Sequence, residues 1–137
     1  MLAVSRLAAN AFLSGNRIRR AKRHGRRGER LAARWLRRRG HRILARNLRW
    51  GRLEMDLLVE SPDGRQAIVV EVKTGHGSVD RVLARVGRPQ MRRLGMFARH
   101  IQPGRMVRGR PMRTDVVLVL LDRPRAQRVV HLRWDDV

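Results

Sequence analysis

The sequence predicts a single α/β domain, and three of its features indicate that fold class. Apolar residues recur at three- and four-residue spacing after Gly28, as on one face of an amphipathic helix. Apolar and polar residues alternate on both sides of an Asp-Gly dipeptide at residues 63–64, which indicates a β-hairpin. The unbroken apolar run at residues 116–121 is typical of a strand buried on both faces. A length of 137 residues suits one such domain.

The predicted elements follow the order helix, three strands, helix and two strands. The first helix begins at Gly28, and Gly40 supplies its end. The strands are predicted at residues 41–48, 52–60, 66–73, 113–121 and 127–132. Residues 74–87 contain three glycines and are interpreted as a loop with room for a short helix. Pro89 is placed to open the second helix at its first position.

The charge balance points to a polyanionic partner. Lys and Arg total 33 against 11 Asp and Glu, which gives a formal net charge of +22. Such a field attracts nucleic acid first, with an anionic membrane or an acidic protein second. The planar guanidinium of Arg also suits bidentate contact with phosphate. The alternative is a general use of Arg in place of Lys, since Lys22 and Lys73 are the only lysines.

The first residues differ in composition from the rest of the chain. Residues 1–27 contain no acid, and residues 1–24 are interpreted as a basic, flexible arm before a folded domain at residues 25–137. Arg6 interrupts the apolar stretch and most charge follows it, which argues against a secretory signal. An organelle transit peptide and an overextended start remain open. The sequence has no cysteine and no apolar run near the ~20 residues of a membrane span, so a cytoplasmic protein without membrane contact is expected.

The hairpin sets a register that brings charged residues together. With residues 63–64 at the two central turn positions, paired residues have numbers that sum to 127. The predicted apolar pairs on one face are Met55–Val72, Leu57–Val70 and Val59–Ile68. The other face then pairs Asp56 with Glu71 and Glu54 with Lys73. The register therefore predicts two converging carboxylates with a lysine beside them.

Two facing carboxylates predict a cation between them. Directly opposed side chains start about 5 Å apart, and like charges there cost up to about 1 kcal/mol. Mg²⁺ or Mn²⁺ would turn that cost into a gain, because such ions take oxygen ligands and keep several waters. Lys73 would then hold an attacking water or stabilise charge on a phosphate. The structural alternative is a plain surface ion pair between Glu54 and Lys73.

Other polar residues carry weaker signals. Glu29 leans toward the apolar side of the first helix, which is unusual for a carboxylate. Asp115 follows Arg113 at the start of a buried strand and is interpreted as an ion-paired structural acid. Trp50 lies beside Gly51 in a predicted turn, where packing is favoured over stacking on a base. The histidines, which show no metal-ligand spacing, are His24, His41, His76, His100 and His131.

Several motifs occur in a fixed order along residues 25–121. They are Gly28-Glu29-x-x-Ala32-x-x-x-Leu36, Arg46-Asn47-x-Arg49, Glu54-x-Asp56-Leu57, Val70-Glu71-Val72-Lys73-Thr74, Arg92-Arg93-Leu94 and Arg113-x-Asp115-Val116-Val117. Together they resemble the YraN-like family of uncharacterised, endonuclease-like proteins. The resemblance implies the PD-(D/E)xK restriction-endonuclease-like fold, with three layers and a mixed central sheet of five or so strands flanked by helices.

The resemblance also implies a role for each matched position. Asp56 and Glu71 would be metal ligands, Lys73 the catalytic lysine, and Glu29 a helix-borne acid that completes the metal shell through water. Gln90 falls where the family usually has lysine and is counted with the catalytic residues. The implied activity is Mg²⁺-dependent hydrolysis of DNA, favoured over RNA, in branched or repair intermediates. A non-catalytic nucleic-acid-binding or ribosome-associated protein is the alternative, and a homodimer remains open.

Overall fold

The computed structural model describes residues 25–137, and the predicted basic arm at residues 1–24 lies outside the described residues. In chain order the elements are α1 (residues 25–38), β1 (Arg42–Trp50), β2 (Leu53–Glu60), β3 (Ala67–Gly75), α2 (Val79–Leu83), α3 (Arg88–Ile101), β4 (Met112–Leu120) and β5 (Val129–Arg133). Every predicted strand and both predicted helices are present, with ends shifted by at most three residues. Among residues 25–137, no helix has the length and apolar character needed to cross a membrane.

The strands form one mixed sheet in the order β1-β2-β3-β4-β5. The β3–β4 pair is parallel, and the other three pairs are antiparallel. A parallel pair needs a long crossover, and the chain supplies it with α2 and α3 between β3 and β4. The α1 helix covers one face of the sheet, and α2 and α3 cover the other. This arrangement is the predicted three-layer, restriction-endonuclease-like α/β fold.

Both faces of the sheet are buried, so the domain has two apolar cores. On one face Ala32, Ala33 and Leu36 of α1 pack against strand residues such as Val70 and Val117. The buried residues of the opposite core are Met55, Leu58, Ala67, Val69, Val82, Val86, Met91, Leu94, Phe97, Ala98, Val107, Val116, Leu118 and Leu120. Strands buried on both faces carry continuous apolar runs rather than alternating ones. A polar side chain inside β3 is therefore removed from water and needs a hydrogen-bonding or ionic partner.

The hairpin between β2 and β3 has the predicted register. Leu57 pairs with Val70 and Val59 with Ile68, so paired numbers sum to 127. The predicted two-residue turn is wrong, because the Ser61 N–H donates to the Gln66 carbonyl at 2.9 Å and four residues lie between them. The register survives because this longer loop is centred on the same dipeptide at residues 63–64.

The predicted apolar face is wrong at Met55. Met55 packs in the core beneath α3, whereas Leu57 packs beneath α1. The reason lies in β1, where Asn47 has a φ of 51° and lies opposite Asp56. Asn tolerates this left-handed conformation better than most residues. The alternation of β2 side chains between the two cores therefore shifts by one residue at Asp56, so Met55 and Leu57 face opposite cores.

The interpretation of Asp115 as an ion-paired structural acid is confirmed. Its carboxylate is fully buried and accepts from Arg113 Nε at 3.0 Å. His131 Nε2 lies 2.7 Å from its Oδ2. Burial raises the pKa of Asp115, but the hydrogen bonds from His131 and Arg113 outweigh it and hold that pKa below its usual value. This network joins β4 to β5 beneath α1.

Trp50 has a packing role, as favoured from the sequence, although it ends β1 rather than lying in a turn. Its ring stacks on His100 of α3 with centroids 4.3 Å apart and planes within 1° of parallel. Phe97 lies next to it, with a centroid distance of 5.6 Å. The stack fastens the end of β1 to α3.

Gly28 lies where α1 crosses the end of β3, and a Cβ at this position would overlap Thr74 Oγ1. We predict that Gly28→Ala lowers the free energy of unfolding by about 1–3 kcal/mol through overpacking. An exposed helical Gly→Ala change would instead raise it by up to about 1 kcal/mol. Gly25→Ala is the matched control, because a Cβ there meets no described atom within 4 Å. Urea unfolding measures both variants, and equal effects would contradict the prediction.

Candidate active site

The predicted site lies at a fork between β2 and β3. The described pairing of these strands ends at Leu57 and Val70, so Asp56 and Glu71 lie just beyond the last paired residues. The Asp56 carboxylate replaces a backbone acceptor there, because its Oδ2 accepts the Val72 N–H at 2.8 Å. The fork therefore holds Asp56 by a backbone hydrogen bond and brings it beside Glu71.

Glu71 is the buried centre of the site, with 3% of its surface exposed. Its Oε1 accepts from Gln90 Nε2 at 2.9 Å, and Lys73 Nζ lies 3.4 Å from the same atom. Its Oε2 is buried and has no hydrogen-bond donor among the described residues. The structure thus brings together four of the five predicted site residues, Asp56, Glu71, Lys73 and Gln90. Gln90 reaches the site from the first turn of α3.

The two carboxyl groups cannot both be ionised without cost. Burial first, and then the charge of Asp56, raise the pKa of Glu71 to about 8. Burial also raises the pKa of Asp56, against the opposing effect of the Val72 N–H. The charge of Lys73 opposes this rise at Glu71, while the interaction between the two carboxyl groups raises the pKa of Glu71 and lowers that of Asp56. A proton or a cation on Glu71 Oε2 would therefore relieve the repulsion between the two groups.

This donor set fits a hard divalent cation. Mg²⁺ prefers oxygen ligands and is commonly held by one or two carboxylates together with waters and substrate oxygens. Within residues 25–137, no three His, Asp or Glu side chains converge as a complete ligand set. The protein's own contribution would therefore be the Asp56 and Glu71 pair, and the remaining positions would be left for water and phosphate.

Glu29 approaches the site from α1 through an intermediary. Burial first, followed by the charges of Asp56 and Glu54, raises the pKa of Glu29 to about 7. With its NH₂ group turned toward the acids, the Asn47 amide donates to Glu29 Oε2 and Glu54 Oε1 at 3.2 Å each. Glu29 therefore shares the acidic neighbourhood of Asp56, while its carboxylate bonds to Asn47. Its role as a metal ligand stays a prediction.

The predicted pair of Glu54 and Lys73 is wrong. Glu54 lies opposite Arg49 of β1, and their side chains form an exposed ion pair at 3.8 Å. Lys73 instead pairs with Glu71 on its own strand. The reason is the fork, which separates β2 from β3 before residue 54 can face residue 73.

Sequence reasoning missed two contributors to this site. Asn47 bridges two acids, and the Val72 N–H fixes Asp56. The signal for Asn47 was its place within a strand, where Asn is disfavoured. The Val72 contact has no signal in the sequence, because any residue except proline supplies an N–H.

Two open cavities flank the start of α1, and Gly25 lines both. One of about 470 Å³ runs along the end of β3 and includes Lys73. The other, of about 420 Å³, includes Glu29 and Glu54. Asp56 and Glu71 are not among the described lining residues, so the cavities reach the site through Lys73 on one side and through Glu29 and Glu54 on the other.

Comparison with known proteins identifies related sequences. A family model described as uncharacterised protein family UPF0102 matches residues 28–119. A UPF0102 protein of Rhizorhabdus wittichii is 38% identical over 117 residues, which cover 85% of this chain and 93% of that protein. One from Beutenbergia cavernae is 38% identical over 112 residues, covering 77% and 89%. One from Thermotoga maritima is 38% identical over 91 residues, covering 66% and 81%.

The raised pKa of Glu71 predicts a pH-dependent gain in stability for Glu71→Gln. The folded state keeps the Glu71 proton up to a pH of about 8, whereas the unfolded chain loses it near 4.5, so stability falls as pH rises through this window. Glutamine mimics the protonated acid and does not titrate. In EDTA, we expect the variant to gain about 1–3 kcal/mol over the wild type between about pH 5 and pH 8.

Glu60→Gln is the control for this measurement. The hydrogen bond from Arg110 holds the pKa of Glu60 below its usual value, so its linkage has the opposite sign. Its removal should therefore bring no gain as pH rises. Urea unfolding at both pH values measures the effect, and a parallel pH dependence of wild type and Glu71→Gln would contradict the assignment.

Proposed function

This chain belongs to the uncharacterised protein family UPF0102, and we propose that it is a Mg²⁺-dependent nuclease that hydrolyses phosphodiester bonds in DNA. The predicted resemblance to the YraN-like family is confirmed by that membership. One observation carries the proposal. The buried Glu71 carboxylate has an oxygen without a donor among the described residues, beside Asp56 and with Lys73 Nζ 3.4 Å from its other oxygen.

Each residue of the site has a task that its surroundings support. Asp56 and Glu71 would hold the metal, with Gln90 and the Val72 N–H fixing one oxygen of each carboxylate. When bound, the metal would polarise the phosphate and acidify a water. Lys73 keeps 23% of its side chain exposed, so its ammonium can donate to a phosphate oxygen or to the attacking water.

The surface charge supports a nucleic-acid substrate. The net charge is +22, and α3 carries exposed arginines at residues 88, 92, 93 and 99. Positive surfaces of this kind bind phosphate backbones without reading sequence. The choice of DNA over RNA, and of branched or repair intermediates, rests on the resemblance to PD-(D/E)xK nucleases.

Cleavage of duplex, single-stranded, flap and four-way-junction DNA with Mg²⁺ or Mn²⁺ tests the activity. We expect Asp56→Asn and Glu71→Gln each to lower the rate at least ~100-fold, because each removes a charged oxygen ligand. Asp136→Asn is the control, since Asp136 is an exposed acid in the last turn of the chain. Cleavage that persists in both site variants would overturn the proposal.

Metal binding itself is tested by thermal unfolding in EDTA and in Mn²⁺. A ligand at about 100 times its Kd stabilises the folded state by about 2.7 kcal/mol. We expect a gain of that order in the wild type, none in Asp56→Asn, and most of it in Glu29→Gln, since Glu29 bonds to Asn47. Salt-sensitive DNA binding without a Mn²⁺ gain would favour the non-catalytic alternative, and copurifying rRNA a ribosome-associated one.

A further inference from the structure

The cavity along the end of β3 has a lining suited to an anion. It measures about 470 Å³, within the range of small-ligand sites. It includes Lys73 of the candidate site and continues past Gly75 to α2. Its charged side chains are those of Lys73, Arg81 and Arg85, and His76 also lines it. The described lining residues include no carboxylate.

Arg81 of α2 and Arg85 of the turn after α2 each lie against a glycine. Arg85 Nη1 donates to the Thr74 carbonyl at 2.8 Å, and a Cβ on Gly75 would lie 3.2 Å from that nitrogen. Arg81 crosses Gly77, where a Cβ would lie 3.3 Å from its Cδ. The bare backbone therefore leaves room for both guanidinium groups beside β3.

The loop that leads into α2 is held by two hydrogen bonds. The Gly77 N–H donates to Asp122 Oδ2 at 3.0 Å, which ties the loop to the turn after β4. Ser78 Oγ then accepts the Arg81 N–H at 3.1 Å and caps α2. A guanidinium on a fixed support loses less conformational freedom when it binds an anion. The backbone at Arg81 is therefore held by the cap, and the Arg85 guanidinium is held by its hydrogen bond to Thr74.

We propose that this cavity binds a phosphate of the nucleic-acid strand adjacent to the phosphate that is hydrolysed, with Arg81 and Arg85 as its ligands. The inference rests on the proposed nuclease function. Lys73 lines this cavity and pairs with Glu71, so a strand that runs along the cavity would present one phosphate to Lys73 and the next to Arg81 and Arg85. The bound group is an internal phosphodiester or a terminal phosphate, which share the oxygens that an arginine fork recognises.

Binding measured in EDTA tests the inference without turnover. The probe is fluorescein-labelled tetrathymidylate, with and without a 5′-phosphate, and inorganic phosphate is the competitor. We expect Arg81→Gln and Arg85→Gln each to weaken binding about three- to tenfold, and to lower the slope of log affinity against log salt by about 0.7 per lost contact. Arg85→Lys should retain part of the affinity, because it keeps the charge and loses the fork.

Arg105→Gln is the matched control. Arg105 is exposed and lies in the loop that meets the start of β3, at the opposite end of that strand from the cavity. The Arg105→Gln variant removes the same charge as Arg81→Gln. Its affinity for the probe should stay within about twofold of the wild type if local contacts dominate over the long-range field. A melting curve for each variant establishes that it is folded.

The outcomes separate this inference from the nuclease proposal. If the 5′-phosphate tightens binding to the wild type but not to Arg81→Gln or Arg85→Gln, the cavity binds a terminal phosphate. If both probes lose the same affinity in these variants, it binds an internal phosphodiester. Unchanged affinity in the Arg81→Gln/Arg85→Gln double variant overturns the inference even if the chain cleaves DNA. Displacement of the probe by polyglutamate as readily as by phosphate also overturns it. Absence of cleavage together with phosphate binding that depends on Arg81 and Arg85 would overturn the nuclease proposal but not the anion-binding site.

Discussion

The hydrogen bond from the Val72 N–H to the Asp56 carboxylate is the contact on which the candidate site depends. A side-chain oxygen stands where a continuing β2 strand would place a backbone acceptor. The fork can therefore open without leaving a buried N–H unsatisfied, a defect that would cost about 1–3 kcal/mol. Glu71 enters the opened space beside Asp56. Without that bond, the Val72 N–H would lose its acceptor and Asp56 would lose the contact that fixes it.

Placing two carboxyl groups together in a buried position lowers the stability of the fold, as their raised pKa values indicate. Local destabilisation of this kind is found at functional sites. Two apolar cores, one on each face of the sheet, surround that defect. The polar partners Gln90 and Lys73 share one oxygen of Glu71 and leave the other open. Among the described residues, the one buried carboxylate oxygen without a hydrogen-bond partner therefore lies where a cation and a phosphate would meet.

The limits of prediction follow from the range of each interaction. The hairpin register was correct because it depends on a local centre of symmetry at residues 63–64 and on apolar alternation nearby. The face of Met55 was wrong because the left-handed Asn47 belongs to another strand. The Glu54 and Lys73 pair failed because β2 and β3 are no longer paired beyond Leu57 and Val70. Alternation can be predicted from one strand alone, whereas the point at which two strands separate depends on how neighbouring strands pair.

The sequence by itself determined the order of the elements, the family and the acid-lysine pattern of Asp56, Glu71 and Lys73. These features follow from local periodicity, turn residues and motif spacing. Only the tertiary structure decided that Gln90 donates to Glu71 and that Arg85 bonds to the end of β3. Those contacts join α3 and the turn after α2 to residues of β3 that lie 11 to 19 positions earlier, so they depend on how the layers pack. Packing is set by the shapes of both cores together, which no single segment of the chain contains.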